Sequence, residues 1–198
     1  KYRLYPNKGQ IKLINDQLFE ASKLYNAALE HRIWLYRSFG TNISFYDQAK
    51  EMKQVRDEGF CKLANFTACQ GVLRKLDKTY KAFFGRIKKG QKAGFPRFKP
   101  AKKYDTLEYP SYGDGCKLKG KKVYLQGIGD INIRLHRTVE GTIKTVSVTR
   151  KNGKYYVCFA CEVEIKTLPQ TSNTIGIDMG IESFAITSNK EFIKNPSF

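Results

Sequence analysis

Residues 66–87 read FTACQGVLRKLDKTYKAFFGRI and indicate the fold more clearly than any other stretch of the chain. Their apolar side chains recur at alternating steps of three and four residues, which places them on one face of a helix. The members of this stripe are Phe66, Cys69, Leu73, Leu76, Tyr80, Phe83 and Ile87. A stripe at this spacing is more often a packing face than a cofactor site. We therefore predict a helix whose stripe lies in the hydrophobic core.

The sequence before this helix predicts one short strand and two further helices. Residues 2–5 are typical of a strand, and Pro6 ends it because proline lacks a backbone donor. A long run of apolar residues at helical spacing follows, and Gly40 marks its end. Ser44 is the predicted N-cap of a shorter helix that reaches about Glu58.

After Pro100 the pattern changes to alternating apolar and polar residues, the period of a strand with one buried face. Strands are predicted at residues 123–125, 131–135, 146–148 and 155–163. Asn152-Gly153 precedes the last of them, and this dipeptide is a strong signal for a hairpin turn. Antiparallel strands joined by glycine-containing turns favour a small barrel or half-barrel. The predicted fold class is thus α+β.

The charge of the chain restricts its partners. Of 198 residues, 36 are Lys or Arg and 18 are Asp or Glu, which gives a formal net charge of +18. This balance is unusual for a metabolic enzyme and implies a polyanionic partner, most commonly nucleic acid. No run of eighteen apolar residues is present, and the first residues lack the apolar core of a signal peptide. We expect a cytoplasmic protein without a membrane partner.

Much of the charge is concentrated between Arg74 and Lys103. This segment contains twelve Lys or Arg residues and one acid, Asp77, so its net charge is +11. A charged run is usually a solvated face, but this density, with glycine and proline breaks, favours contact with phosphates. The candidate contacts within it are Arg74, Lys78, Lys81, Lys88, Lys89, Lys92, Arg97 and Lys99.

The five cysteines do not form the framework of a secreted disulfide protein. Cys158 and Cys161 have the spacing of half a zinc site, but they lie in a predicted strand, where positions three apart face opposite ways. No second Cys or His pair follows them. We therefore predict a reducing compartment, ordinary strand cysteines and no zinc in this portion of the protein.

Residues 174–188 indicate a hairpin with an acid at its centre. An apolar strand ends at Asp178, Gly180 allows the chain to turn, and a second apolar strand follows. A carboxylate on such a rigid platform can hold a divalent cation. Alternatively, Asp178 caps its own turn backbone. Spacing alone does not separate these two interpretations.

Three stretches resemble the TnpB/OrfB family, transposon-encoded RNA-guided DNA endonucleases ancestral to type V CRISPR effectors. Arg3-Leu4-Tyr5-Pro6-Asn7 resembles the start of the family. Residues 73–84, followed by Gly94-Phe95-Pro96-Arg97-Phe98-Lys99, resemble its most distinctive block. Gly176-Ile177-Asp178-Met179-Gly180, running on to Asn195-Pro196, resembles the first motif of its RuvC nuclease. The three stretches occur in the family's order and span nearly the whole chain.

The resemblance implies a particular domain organisation. Residues 1–9 and 95–168 would form a wedge domain, an antiparallel barrel of the oligonucleotide-binding type. Residues 10–94 would be a helical recognition lobe inserted into this barrel. Residues 169–174 would be a linker, and residues 175–198 would begin the RNase-H-like RuvC domain with its first hairpin.

The resemblance also implies partners and site residues. Guide RNA from the transposon end and double-stranded target DNA would bind this chain in a prokaryotic, nucleoid-associated setting. Gln70 and Thr67, at the start of the third helix, would read the duplex motif that flanks the target, with Phe45 on the same surface. Alternatively, Gln70 is simply a polar surface residue. Asp178 would be the catalytic acid that binds Mg²⁺.

A two-metal nuclease site needs several carboxylates, so we expect that this chain alone does not cut DNA. The family's other two acidic motifs and its zinc module would lie beyond Phe198. Two alternatives remain open. One is a non-catalytic, RNA-guided repressor derived from TnpB. The other is an actin-like ATPase, whose first phosphate loop resembles residues 176–180, although that class leaves the +11 segment unexplained.

Overall fold

The computed structural model of the protein describes residues 1–164 and 172–196. The chain divides into two compact units, Lys1–Val163 and Glu164–Phe198. The end of the predicted wedge, at residues 165–168, and the first part of the predicted linker, residues 169–171, lie outside the described residues. The assignment of wedge, recognition lobe and RuvC domain stays a prediction.

Three helices follow the first strand, as predicted. They are α1 (Lys8–Phe39), α2 (Phe45–Asp57) and α3 (Phe66–Lys88). The first two begin with reciprocal capping boxes, Asn7 with Gln10 and Ser44 with Asp47, which satisfy backbone donors that a helix start leaves open. Gly40 ends α1 in the left-handed conformation, with a φ of 65°.

The first unit contains a seven-stranded sheet in which every pairing is antiparallel. Its strands are β1 (Tyr2–Tyr5), β2 (Thr106–Tyr109), β3 (Cys116–Lys119), β4 (Lys122–Leu125), β5 (Gly129–Arg134), β6 (Thr142–Lys151) and β7 (Lys154–Glu162). The strand order is β2-β6-β7-β1-β5-β4-β3, and the sheet curls into a nearly closed barrel. The prediction of an α+β fold with an antiparallel barrel is confirmed.

β1 lies inside the sheet, between β5 and β7, although it comes first in the chain. The three helices are therefore an insertion between the first strand of the sheet and all the others. Along β1, Tyr2 and Leu4 are buried while Tyr5 is 52% exposed. This alternation turns one face of the strand to the core and leaves the other for solvent or a partner.

The predicted hairpin between β6 and β7 is present. Asn152 and Gly153 both have positive φ values, 50° and 67°, as a type I′ turn requires. β2 and β3 were not predicted, because turn-forming residues such as Pro110 and Gly115 lie directly beside them. A short 3₁₀ helix at Ala101–Lys103 was not predicted either.

The predicted core stripe of α3 is correct in its middle and wrong at its ends. Cys69, Leu73 and Leu76 are almost fully buried, whereas Phe66 is 39% and Ile87 50% exposed. The buried residues of α3 all lie between Ala68 and Leu76. At Gly71 a Cβ atom would lie 2.8 Å from the carbonyl oxygen of Glu108 in β2, so glycine permits this contact.

The second unit contains a small antiparallel sheet of three strands, β8 (Ile177–Asp178), β9 (Ser183–Thr187) and β10 (Phe192–Lys194), in the order β10-β9-β8. Asp178 is the last residue of β8 and lies opposite Ile186. The predicted turn between two apolar strands is therefore observed. Among the described residues, no helix has both the length and the hydropathy needed to cross a membrane.

Candidate nucleic-acid interface

One side of α3 carries five of the predicted nucleic-acid contacts. They are Thr67, Gln70, Arg74, Lys78 and Lys81. Their spacing of three or four residues places them on a single stripe, opposite the buried residues of the same helix. All five are at least partly exposed. The helix thus presents two polar side chains at its start and three cations further along.

Arg74 and Phe45, from different helices, are brought together. The Arg74 guanidinium lies over the Phe45 ring, 5.5 Å from its centroid. Phe45 packs partly against the core and contacts Tyr46 edge-to-face, with the ring centroids 5.3 Å apart. The ring therefore supports Arg74, and it can orient the guanidinium outward without neutralising its charge.

The start of α3 is fixed by a polar network. The Asn65 side chain caps the helix by accepting from the Ala68 amide at 2.7 Å, and it donates to Asp114 at 3.1 Å. The Thr67 hydroxyl also donates to Asp114. The Gln70 side chain, by contrast, takes no part in this network. The side-chain amide of Gln70 is thus available to a partner. Of the Thr67 side chain only the methyl group is available, because the hydroxyl is already bonded to Asp114.

Several cations of the Arg74–Lys103 segment are already engaged within the protein. Lys81 forms an ion pair with Asp77 at 2.9 Å, and the hydrogen bond that it donates to the Asp77 carboxylate raises the pKa of Lys81. Lys75 lies over the Tyr104 ring at 4.5 Å, and its burial lowers its pKa. Lys99 lies over Tyr25 at 4.9 Å. The segment presents less free charge than its sequence suggests.

Four more of the predicted nucleic-acid contacts lie at the C-terminal end of α3 and in the loop that follows it. Lys88 is its last residue and Lys89 its C-cap, and Lys92 and Arg97 follow in the loop. None of the four forms an ion pair with a described carboxylate. They can therefore bind phosphates without first breaking an internal pair.

An aromatic cluster joins this loop to α3. Phe95 contacts Tyr80 and Phe83 of the helix, with ring centroids 5.9 Å and 5.4 Å apart, and Phe84 contacts the same two helix rings. Phe84 remains 51% and Phe95 49% exposed. The cluster leaves aromatic surface among the cations, whereas the backbone of Lys99 is held by Ser22 and Asn26 of α1.

A groove of about 400 Å³ separates α3 from the outer face of strands β2, β6 and β7. Lys75 and Lys78 line its helical side, and Glu108, Ser147 and Cys158 line its sheet side. Lys78 therefore belongs both to the α3 stripe and to one edge of this groove. Cys161 borders a different depression, next to Tyr2 and Arg137, and both cysteines of the CxxC spacing lie in β7, as predicted.

Two other cysteines form a close buried pair behind the α3 stripe. The Sγ atoms of Cys61 and Cys69 lie 3.8 Å apart. The hydrogen bond from Cys69 lowers the pKa of Cys61 to about 6, against the effect of burial. The same hydrogen bond, together with burial, raises the pKa of Cys69. Arg56 lies 3.6 Å from the Cys69 sulfur and favours the thiolate state of the pair.

Asp178 is exposed at the end of β8. Within residues 1–164 and 172–196, no three His, Cys, Asp or Glu side chains are grouped so that they could hold a metal ion. The described carboxylates therefore do not form a magnesium site by themselves. Whether Asp178 is a metal ligand stays a prediction.

Comparison with known proteins shows the relationship of the chain. A family model described as a helix-turn-helix domain of the OrfB/IS605 type matches residues 1–41. InsQ of Escherichia coli K12, named as a candidate RNA-guided DNA endonuclease, is 30% identical over 142 residues, 70% of this chain and 33% of InsQ. A Streptomyces pristinaespiralis protein with the same description is 28% identical over 203 residues, 99% of this chain and 49% of that protein.

The predicted relationship to the TnpB/OrfB family is confirmed. The chain spans half or less of each curated relative it matches and corresponds to their N-terminal part. The region matched by the family model contains β1 and one uninterrupted helix, α1, in this TnpB-type chain. Residues 1–41 therefore do not have the two-helix geometry of a helix-turn-helix motif.

Proposed function

We propose that this chain is the nucleic-acid-binding part of an RNA-guided, metal-dependent DNA endonuclease of the TnpB type. It binds guide RNA from the transposon end and the duplex motif beside the target. The observation that carries this proposal is the single stripe on α3, where the Gln70 side chain lies beside the exposed cations Arg74 and Lys78. The names of the two relatives support RNA and DNA as the partners.

The start of α3 is suited to reading a base sequence. Gln70 has a free amide, which can pair with both N6 and N7 of adenine in the major groove. The Thr67 methyl can contact the methyl group of thymine. Arg74, supported by Phe45, lies one turn further along and can hold the phosphate backbone. The base contact at the start of α3 would specify the sequence, and the phosphate contact one turn further along would fix the position of the helix on the duplex.

The test compares the duplex preference of the complete protein with that of Gln70→Ala. The wild-type protein should prefer one flanking motif in a library of randomised duplexes, and the variant should lose discrimination at one or two positions while total affinity changes little. Gln91→Ala is the matched control, because Gln91 is exposed but lies outside the α3 stripe. A uniform loss of affinity for all motifs would assign Gln70 a positional role.

We further propose that Asp178 is the first acid of the nuclease site. The resemblance of residues 176–180 to the first RuvC motif supports this, as does the position of Asp178 at a strand end. A bound Mg²⁺ would supply charge stabilisation for phosphodiester cleavage. In the complete protein, Asp178→Ala should bind RNA and target DNA normally and leave the DNA intact. Cleavage at the wild-type rate would exclude the assignment.

A further inference from the structure

Cys61 and Cys69 are a pair of thiols that the proposed nucleic-acid contacts leave unused. Both are free and buried, and their Sγ atoms lie 3.8 Å apart although the residues are eight positions apart in the chain. Cys69 lies near the start of α3, directly before Gln70. Cys61 lies in the connection between α2 and α3, where the backbone forms neither helix nor strand. The fold, and not a CxxC spacing, therefore brings these sulfurs together.

The two sulfurs are close enough for a bond to form between them after a small movement. The S–S bond of a disulfide is about 2.05 Å long, so the Sγ atoms need to approach each other by about 1.8 Å. Cys61 can supply this movement, because its segment is not held by the repeating backbone hydrogen bonds that fix Cys69 within α3. The approach therefore does not require α3 to unfold.

The surroundings of the pair decide which sulfur carries the negative charge, and only a thiolate is a good nucleophile. The hydrogen bond from Cys69 lowers the pKa of Cys61 to about 6. A hydrogen bond from the Leu63 backbone and the charge of Arg56 act in the same direction, whereas burial and the charge of Glu20 oppose them. The hydrogen bond to Cys61 and burial both raise the pKa of Cys69. Cys61 is therefore the attacking sulfur and Cys69 the sulfur that reacts second.

Access from solvent differs between the two sulfurs in the same order. Cys61 is 7% exposed and Cys69 is fully enclosed, so a reagent that enters from solvent reaches Cys61 first. The reagent must be small, and hydrogen peroxide is little larger than a water molecule. A local opening of the segment around Cys61 is enough to admit it. The more accessible sulfur is thus also the more nucleophilic one.

We propose that Cys61 and Cys69 form an oxidation site, at which a hydroperoxide joins α3 to the segment before it through a reversible disulfide. The site goes beyond the proposed function and does not depend on it. The sequence predicts a reducing compartment, and disulfides in such compartments are usually transient and serve redox sensing or catalysis. We expect the pair to be reduced at rest and oxidised only when peroxide is present.

The reaction balances with hydrogen peroxide as the oxidant. The Cys61 thiolate attacks one peroxide oxygen, the O–O bond breaks, and Cys61 becomes a sulfenic acid while the leaving hydroxide takes a proton from solvent. The Cys69 sulfur then attacks the Cys61 sulfur, the S–O bond breaks, and the leaving hydroxide takes the Cys69 proton to form water. The two sulfurs lose two electrons, and the peroxide gains them. A reducing dithiol reverses the change by thiol–disulfide exchange.

The test detects the new bond directly in the complete protein. Reduced protein is exposed briefly to hydrogen peroxide, its remaining thiols are alkylated, and it is digested with trypsin without reduction. Trypsin cleaves after Lys62, so Cys61 and Cys69 fall in separate peptides, residues 57–62 and 63–74. Mass spectrometry should find these two peptides joined, and prior treatment with dithiothreitol should separate them.

Three single variants separate the roles of the sulfurs. Cys69→Ser should leave Cys61 as a sulfenic acid that dimedone traps, and Cys61→Ser should leave Cys69 unoxidised. Cys116→Ser is the matched control and should form the disulfide as the wild type does, since Cys116 is equally buried but burial raises its pKa to about 11. In the wild type, Cys61 should be oxidised roughly tenfold or more faster than Cys116, because the thiolate is the reactive form.

Two results would overturn the inference. One is oxidation of Cys158 and Cys161 before the buried pair, because these two cysteines are more exposed and exposure alone would then decide reactivity. The other is a wild-type Cys61 that proceeds to sulfinic acid, or links to a second copy of the chain, without joining Cys69. The wild-type digest does not depend on the folding of any variant. Nucleic-acid binding is not measured in it, so failure of this inference leaves the proposed function standing.

Discussion

Replacing Gly71 by alanine tests the close contact that positions α3 on the sheet. The added Cβ would lie 2.8 Å from the carbonyl oxygen of Glu108, a backbone atom that no side-chain rotation can remove. Comfortable separations between such atoms are about 3.5 Å or more, so helix and strand must separate by roughly 0.5–1 Å. Overpacking of this kind costs about 1–3 kcal/mol. The higher helix propensity of alanine offsets about 1 kcal/mol of this.

Gly85→Ala is the matched control, because it lies on the same helix and its Cβ would meet no atom within 4 Å. Both variants gain the same helix propensity, so the difference in their free energies of unfolding isolates the contact with Glu108. We expect Gly71→Ala to be less stable than Gly85→Ala by about 1–3 kcal/mol. In a domain of this size that difference lowers Tm by roughly 2–12 °C.

The assay is urea denaturation of both variants, with duplex affinity measured on the same samples. Because Glu108 also lines the groove beside Lys75 and Lys78, a displaced helix should weaken duplex binding for Gly71→Ala and not for Gly85→Ala. If Gly71→Ala is as stable as Gly85→Ala, the close packing of α3 on β2 is contradicted.

Three other predictions concern charge. Replacing Lys88, Lys89 and Lys92 together by alanine should weaken binding to all duplex sequences about equally and reduce the salt slope by about 3, as an anisotropy titration can show. Arg32→Ala should lower the free energy of unfolding by about 2 kcal/mol in urea denaturation. The substitution removes a buried guanidinium, so Asp77 loses an ion pair and Gln48 loses a hydrogen bond. The lowered pKa of Cys61 contributes stability that is fully present above the ordinary thiol pKa and is lost as the pH falls through the lowered value. As the pH rises toward the ordinary thiol pKa, the wild-type protein should therefore gain stability relative to Cys61→Ala, as urea denaturation at several pH values can show.

Periodic patterns made the helices predictable from sequence. The caps at Ser44 and Gly40 and the hairpin at Asn152-Gly153 follow from local chemistry, and all three are observed. The ends of the α3 stripe were predicted incorrectly, because periodicity identifies the apolar face of a helix and does not say how much of that face is covered. Phe66 and Ile87 lie outside the buried part of α3 and are exposed.

Charge on the surface was less predictable, because pairing depends on residues that are distant in sequence. The run from Arg74 to Lys103 indicated a basic surface, yet Lys81 is paired with Asp77 and Lys99 packs against Tyr25. Arg3 and Arg134 show the converse, because these two cations are distant in sequence and only the sheet register places them opposite each other.

The most direct test of the account is the salt dependence of nucleic-acid binding by the wild-type chain. If about six cations of the α3 stripe and the following loop contact duplex phosphates, affinity should fall about a thousandfold from 50 to 200 mM salt. Binding that is unchanged over this range would contradict the central claim that these basic surfaces bind nucleic acid.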